Sequence, residues 1–208
     1  MTNRRATRPT RDALIAGAGA ALALTLLFAL PVLAADLPSF DLRTVLANTT
    51  VTPPGRVTFR EERHNPMLAE PLVLTGHLEY LELGVLRKVI ETPFQEAFQV
   101  DAQHIIIERD GQTRKLSLNK SRSLRTILGA IEAILAGEAD RLESNFDYEL
   151  SGTVDSWTVR LTPISQRIAK QLESLQVSGD GESATGIRVD LAGGEWHQME
   201  ISRNVATQ

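Results

Sequence analysis

Hydrophobic positions between Gly55 and Leu118 recur at every second residue, a period that predicts antiparallel strands with one buried face. Val57 and Phe59 alternate with Arg56, Thr58 and Arg60, while Leu72, Leu74, Gly76, Leu78 and Tyr80 alternate with Val73, Thr75, His77 and Glu79. Gly84, Pro93 and Asp110-Gly111 punctuate the run, and the last pair stands between Ile105-Ile106-Ile107 and Leu116, where it predicts a hairpin turn. Leu42, Val45 and Leu46 share one face of a short helix predicted over 39–47. A longer helix is predicted over 123–136, with Leu124, Ile127, Leu128, Ile131 and Leu135 on one stripe and Gly137 placed to end it. Strand patterns return at Phe146, Tyr148 and Leu150 and at Trp157, Val159 and Leu161. The spacing of Ile164, Ile168, Leu172 and Leu175 predicts a further helix from 164 to about 175. The chain closes on Ile187, Val189 and Leu191, a Gly193-Gly194 turn, and Met199 with Ile201.

The beginning of the chain follows a different pattern. Arg4, Arg5, Arg8 and Arg11 precede an uncharged apolar run from Ala13 through Leu30, which Pro31 breaks. That is the layout of a cleavable secretory signal over 1–34, with Val32-Leu33-Ala34 supplying a cut after Ala34 and Ala35 as the neighbouring option. An uncleaved anchor is the alternative, because the run approaches the ~18 apolar residues that begin to span a bilayer. Residues 35–208 then form a single domain large enough for a sizeable core. Four of the 22 Lys and Arg fall in the signal against one of the 26 acids, so the exported part carries 18 against 25, a net charge of −7. Such an acidic, mixed surface offers no footprint for nucleic acid. The chain has no cysteine, which excludes disulfides and also a lipid-attachment cysteine at the cut.

Strands that dominate, with a few helices inserted at intervals, predict a mainly β (α+β) fold: one large antiparallel sheet against a small helical layer. A sheet of this length curls into an open or closed barrel whose concave face is filled by side chains, helices or a ligand.

Catalytic chemistry finds no foothold. His64, His77, His104 and His197 are scattered without paired spacing, so no metal site is expected. Glu61-Glu62 beside His64 is the one acid and histidine cluster, and in a strand Glu62 and His64 share a face, as a weak metal or proton-transfer site or as a solvated strand surface. No serine sits in a nucleophile elbow, and Gly179-Asp180-Gly181 lacks the lysine and context of a phosphate loop and reads as a turn. No carboxylate pair is selected for glycoside hydrolysis. No catalytic residue, metal or cofactor is therefore expected. What stands out is apolar surface beyond ordinary need, in Ile105-Ile106-Ile107 and in Val85-Leu86 followed by Val89-Ile90. It serves either a sheet covered on both faces or a cavity for an acyl chain.

Several segments, in order, resemble the periplasmic outer-membrane lipoprotein carriers, the LolA-like family, in its divergent branch. They are Phe59-Arg60-Glu61, Leu68-Ala69-Glu70-Pro71-Leu72, Gly76-His77-Leu78-Glu79-Tyr80, Glu91-Thr92-Pro93 and Glu108-Arg109-Asp110-Gly111. Ile134-Leu135-Ala136-Gly137-Glu138, Phe146, Gly152, Trp157 and Leu161-Thr162-Pro163 continue the likeness, which covers about 59–201. The resemblance implies an open antiparallel β-barrel with a helical lid, a monomer in the periplasm that shields acyl chains of lipoproteins or other lipids without turnover. It also implies an inner-membrane releasing transporter and an outer-membrane receptor as partners. Phe59, Leu74, Leu78, Tyr80, Phe94 and Phe98 would line the cavity, and Leu124, Ile127, Leu128, Ile131 and Leu135 would form the lid. The best-studied members of the family carry Lys-Arg-Pro after the strand matching 72–80, its arginine bonding to the lid. This chain has Leu81-Glu82-Leu83-Gly84 there, leaving Arg87 as the residue available for the lid contact. The alternative from another class is a structural or adaptor domain of an envelope biosynthesis and export complex, in which the same sheet is plain core.

Overall fold

The computed structural model describes residues 40–120 and 122–202, all within one unit that extends from Leu37 to Gln208. The expected signal over 1–34 and its cut near Ala34 lie outside the described residues. A short helix, α1 (Leu42–Asn48), comes first, and the Asp41 carboxylate caps it by accepting from the Thr44 amide at 2.8 Å. Six strands follow as a meander: β1 (Gly55–His64), β2 (Leu72–Glu82), β3 (Val85–Thr92), β4 (Glu96–Val100), β5 (His104–Arg109) and β6 (Gln112–Ser117). The β5–β6 turn has both central residues at positive φ, Asp110 at 50° and Gly111 at 72°, as a tight two-residue hairpin requires. After a 3-10 turn come α2 (Arg122–Ala136), ended by Gly137 at φ 74°, and α3 (Ala139–Glu143). The remainder is β7 (Phe146–Gly152), β8 (Trp157–Pro163), α4 (Gln166–Ala169), β9 (Leu172–Asp180), β10 (Ser183–Leu191) and β11 (Trp196–Ser202).

All eleven strands join one antiparallel sheet, ordered β6-β5-β4-β3-β2-β1-β11-β10-β9-β8-β7. The sheet curls without closing, so β6 and β7 are free edges, and the open form of the expected barrel is the one adopted. The topology fixes where the helices go. The chain starts at the centre, works outward to β6, and must cross the sheet before entering the opposite edge at β7; that crossing carries α2 and α3.

The helix predicted over 164–175 is corrected by the structure. Only Gln166–Ala169 is helical, and Leu172 begins β9, paired with β8 on one side and β10 on the other. Residues four apart share a face in a helix and in a strand alike, so Ile164, Ile168 and Leu172 fit both periods. Two neighbouring strands in need of partners decided the matter. α3 was not anticipated; it buries Ala139 and Leu142.

Two apolar clusters form on the same face of the sheet. The larger unites α1, α2 and α3 with β7–β9: Leu46, Ala133, Ile134, Leu142, Trp157 and Leu161 are among its buried members. The indole of Trp157 lies where Gly179 faces it, since a Cβ on Gly179 would stand 2.0 Å from its ring, and its Nε1 donates to the Gly181 carbonyl at 3.0 Å. The smaller cluster gathers Phe59, Leu74 and Ile90 from the centre of the sheet.

Candidate functional site

Register explains how the smaller cluster assembles. Phe59 pairs with Gly76 and Ile201, Gly76 pairs with Ile90, and Lys88 pairs with Phe98, so alternate residues of β1 to β4 and β11 all point to one side. Gly76 is required for this arrangement, because a Cβ there would meet the Val89 carbonyl oxygen at 1.9 Å. Phe59, Leu74 and Ile90 are fully buried, with Leu72, Leu78, Phe94, Phe98 and Met199 packed partly buried around them. Of the residues expected along the cavity, five therefore come together: Phe59, Leu74, Leu78, Phe94 and Phe98. Tyr80 is buried but outside this cluster. Ile90, Leu72 and Met199 are members outside the expected lining; Leu72 and Met199 stand on the alternating faces read from the sequence, and Ile90 sits in a segment apolar on both faces. Clefts of about 440 and 400 Å³ open beside the β5–β6 hairpin; Arg109 and Asp110 line both, and neither is lined by Phe59, Leu74, Leu78 or Phe98.

The helix expected as a lid, α2, buries a face rotated roughly a third of a turn from the expected stripe. Ala130, Ala133 and Ile134 are its buried residues, and the two alanines let it approach α1 and α3 closely. Ile127 packs against the larger cluster, Leu124 is 37% exposed, and Leu128, Ile131 and Leu135 are half-buried. The β2–β3 turn reaches the same helix: an ideal Cβ on Gly84 would lie 3.0 Å from Oε1 of Glu132. Arg87, expected near the lid, lies on the other face of the sheet. Its guanidinium donates to Oε2 of Glu108 at 2.8 Å and lies 3.9 Å from Glu79, so its ion pairs are with β2 and β5 rather than with α2.

Beside the apolar cluster, on its side of the sheet, stands a polar group around Glu61, whose partners Lys88, Arg63 and His197 the sequence did not reveal. Glu61 is 3% exposed, and its Oε2 accepts from Lys88 and, at 3.3 Å, from Arg63. Its Oε1 lies 3.8 Å from Nδ1 of His197. Glu62 and His64 share the opposite face of β1, as their spacing implies, and they do not form a site together: Glu62 binds Arg60 at 2.8 Å, and His64 stacks on Trp196 with centroids 5.4 Å apart. The signal available for the true pair was parity: Phe59, Glu61 and Arg63 are successive inward positions of one strand. Burial pushes the Glu61 carboxyl up, but Lys88 and Arg63 together outweigh it and hold the group below the usual carboxylate range. Burial drives Lys88 below its ordinary value, with Glu61 opposing. His197 is also lowered, by burial first and then by Arg63. Among the described residues, no group of three or more His, Asp or Glu side chains is arranged to hold a metal ion.

A family model described as outer membrane lipoprotein carrier protein LolA-like matches residues 34–201. Among solved structures, the chain is similar to a LolA superfamily protein from Nitrosomonas europaea at 11% identity, over 79% of this chain and 92% of that one, with a TM-score of 0.42. It is also similar to LprF from Mycobacterium bovis, at 12% identity over 79% and 93% of the two chains, with a TM-score of 0.35. A chain of the Pseudomonas aeruginosa MucA/MucB complex matches at 14% identity over 78% and 56%, with a TM-score of 0.36. Among curated proteins none matches. The family match takes in nearly every described residue, and on that ground the chain belongs to the outer membrane lipoprotein carrier protein LolA-like family.

Proposed function

We propose that the protein is a periplasmic carrier that shields acyl chains of a lipoprotein or another lipidated cargo during transfer toward the outer membrane, without chemical turnover. One observation carries the reading. The apolar side chains of β1–β4 gather on one face of a curled, open sheet, and the helix carried by the β6–β7 crossing bears a second apolar stripe, Leu124, Leu128, Ile131 and Leu135, besides the face it buries. A helix meant only to close a core needs one apolar face. A helix that also meets a ligand needs two. The physics favours such a device, because each methylene kept out of water is worth about 0.8 kcal/mol, which makes an uncovered acyl chain costly in an aqueous compartment. The smaller cluster is filled by its own side chains, so cargo enters by displacing them, and release reverses the step. The net negative charge and the expected signal fit a carrier that works outside the cytoplasm.

The test is a fluorescent fatty-acyl probe titrated into the exported part of the chain, residues 35–208. Saturable binding is expected, weakened in Ile131→Asp, which places a charge on the half-buried stripe. No saturable binding by the unaltered protein would overturn the proposal. Mass spectrometry of organic extracts adds a second readout: co-purified lipid supports the carrier, and a clean extract with a stable protein partner supports the adaptor alternative.

A further inference from the structure

The cluster around Glu61 carries more donors than it needs for structure. A buried ion pair sets one cation against one carboxylate. Here two fixed cations, Lys88 and Arg63, share a single oxygen of Glu61, while the other oxygen stands 3.8 Å from His197 Nδ1, too far for a hydrogen bond. Arg63 keeps its Nε–H buried without an acceptor, although most buried polar atoms find one. The next acid, Glu195, accepts a hydrogen bond from Asn65 and influences His197 only through space. The group thus has an unfilled demand for negative charge.

Its position says what kind of anion would fill it. Lys88 Nζ stands 4.7 Å from the centre of the Phe59 ring, and Glu61 pairs in register with Leu74 and Met199. Cationic donors therefore adjoin the apolar cluster directly, matching an amphiphile whose charged end and chain lie side by side. We propose that Arg63, Lys88 and His197 seat the anionic headgroup, carboxylate or phosphate, of an acylated ligand whose chain packs against Phe59, Leu74, Ile90 and Phe98. The guanidinium of Arg63 suits a planar or tetrahedral oxyanion, and the free Nε–H is the donor it brings. The inference rests on the carrier reading and narrows it to acidic amphiphiles.

Two matched probes test it: a fluorescent long-chain carboxylate and its methyl ester, titrated into residues 35–208. The carboxylate is expected to bind about tenfold tighter than the ester, the scale of one charge-assisted hydrogen bond. Arg63→Gln, which leaves the Glu61–Lys88 pair in place, should abolish that preference. Should Arg63→Gln fail to fold, Arg63→Lys, which keeps a cation beside Glu61 but has no Nε–H and no planar fork, supplies a second route and should weaken the same preference. Equal affinity for the two probes, or a preference that survives both substitutions, overturns the headgroup site while the carrier reading stands. Binding of neither probe overturns the carrier reading itself. Competition separates the source of the anion: a long-chain lysophosphatidic acid should displace the carboxylate probe at micromolar levels, and displacement by inorganic phosphate alone at similar levels would refute a lipid headgroup.

Discussion

Replacing Lys88 by methionine isolates the energetics of the inner polar group. The substitution keeps the length and apolar stem of the side chain and removes the ammonium that binds Oε2 of Glu61 and stands over the Phe59 ring. Glu61, 3% exposed, cannot recover the lost partner from water. Breaking a buried pair from one side costs ~3–5 kcal/mol. The lower end applies here, because Arg63 remains 3.3 Å from the same oxygen and the Lys88 side chain is itself 19% exposed. About 3 kcal/mol of stability should therefore be lost, a large part of what holds an ordinary domain together. Urea unfolding at pH 7 followed by tryptophan fluorescence measures it, since Trp157 is buried in the larger cluster and reports the collapse of that side of the sheet. Glu61→Leu together with Lys88→Met should be less destabilising than Lys88→Met alone, because the stranded carboxylate is then gone. A loss under about 1 kcal/mol, or a double variant weaker than the single one, would refute the view that Glu61 depends on Lys88.

The remaining expectations concern single features. His197 sits below its ordinary value in the fold, so as pH drops below about 6.5 the unfolded chain takes up the proton first and stability falls; Glu61, also lowered, adds a second loss below about 4.5. His197→Asn should flatten the upper part of that slope and leave the lower part, and an unchanged slope in a pH series of thermal melts would count against the assignment. Gly179→Ala should cost ~1–3 kcal/mol, since its Cβ would press on the Trp157 ring at 2.0 Å, and the buried indole emission should shift; a melting temperature equal to that of the unaltered chain would exclude the tight contact. Arg87→Ala should cost less than about 1 kcal/mol and leave acyl-probe affinity unchanged, because the partly exposed pairs it loses lie on the face away from α2; a clear drop in affinity would restore Arg87 to the lid.

Much of the sheet is legible one strand at a time. Leu72, Leu74, Leu78 and Tyr80 announce an inward face because a strand presents alternate residues to the same side, and Asp110-Gly111 announces its turn because both positions need positive φ. Gly137 likewise marks the end of α2 with its left-handed conformation. The site was only partly legible. Phe59, Leu74 and Phe98 can be chosen from their own strands, but Lys88 reads as an ordinary polar residue until β3 is laid beside β2 and β4, where it pairs with Leu78 and Phe98. In α2 the spacing of Leu124, Leu128 and Ile131 marks an apolar stripe, whereas close packing against α1 and α3 favours Ala130 and Ala133.

Local sequence determined the periods, most of the turns and the alternation of inward and outward positions, because those follow from backbone geometry within a few residues. Tertiary structure decided everything that depends on partners far along the chain. It turned the stretch from Leu172 into a strand because β8 and β10 required one between them. It sent Arg87 to the side away from Phe59 and set Glu61 between Lys88, Arg63 and His197, which come from three different strands. A charge in isolation is written in the sequence, but whether it is buried, and against what, is a property of the register between strands.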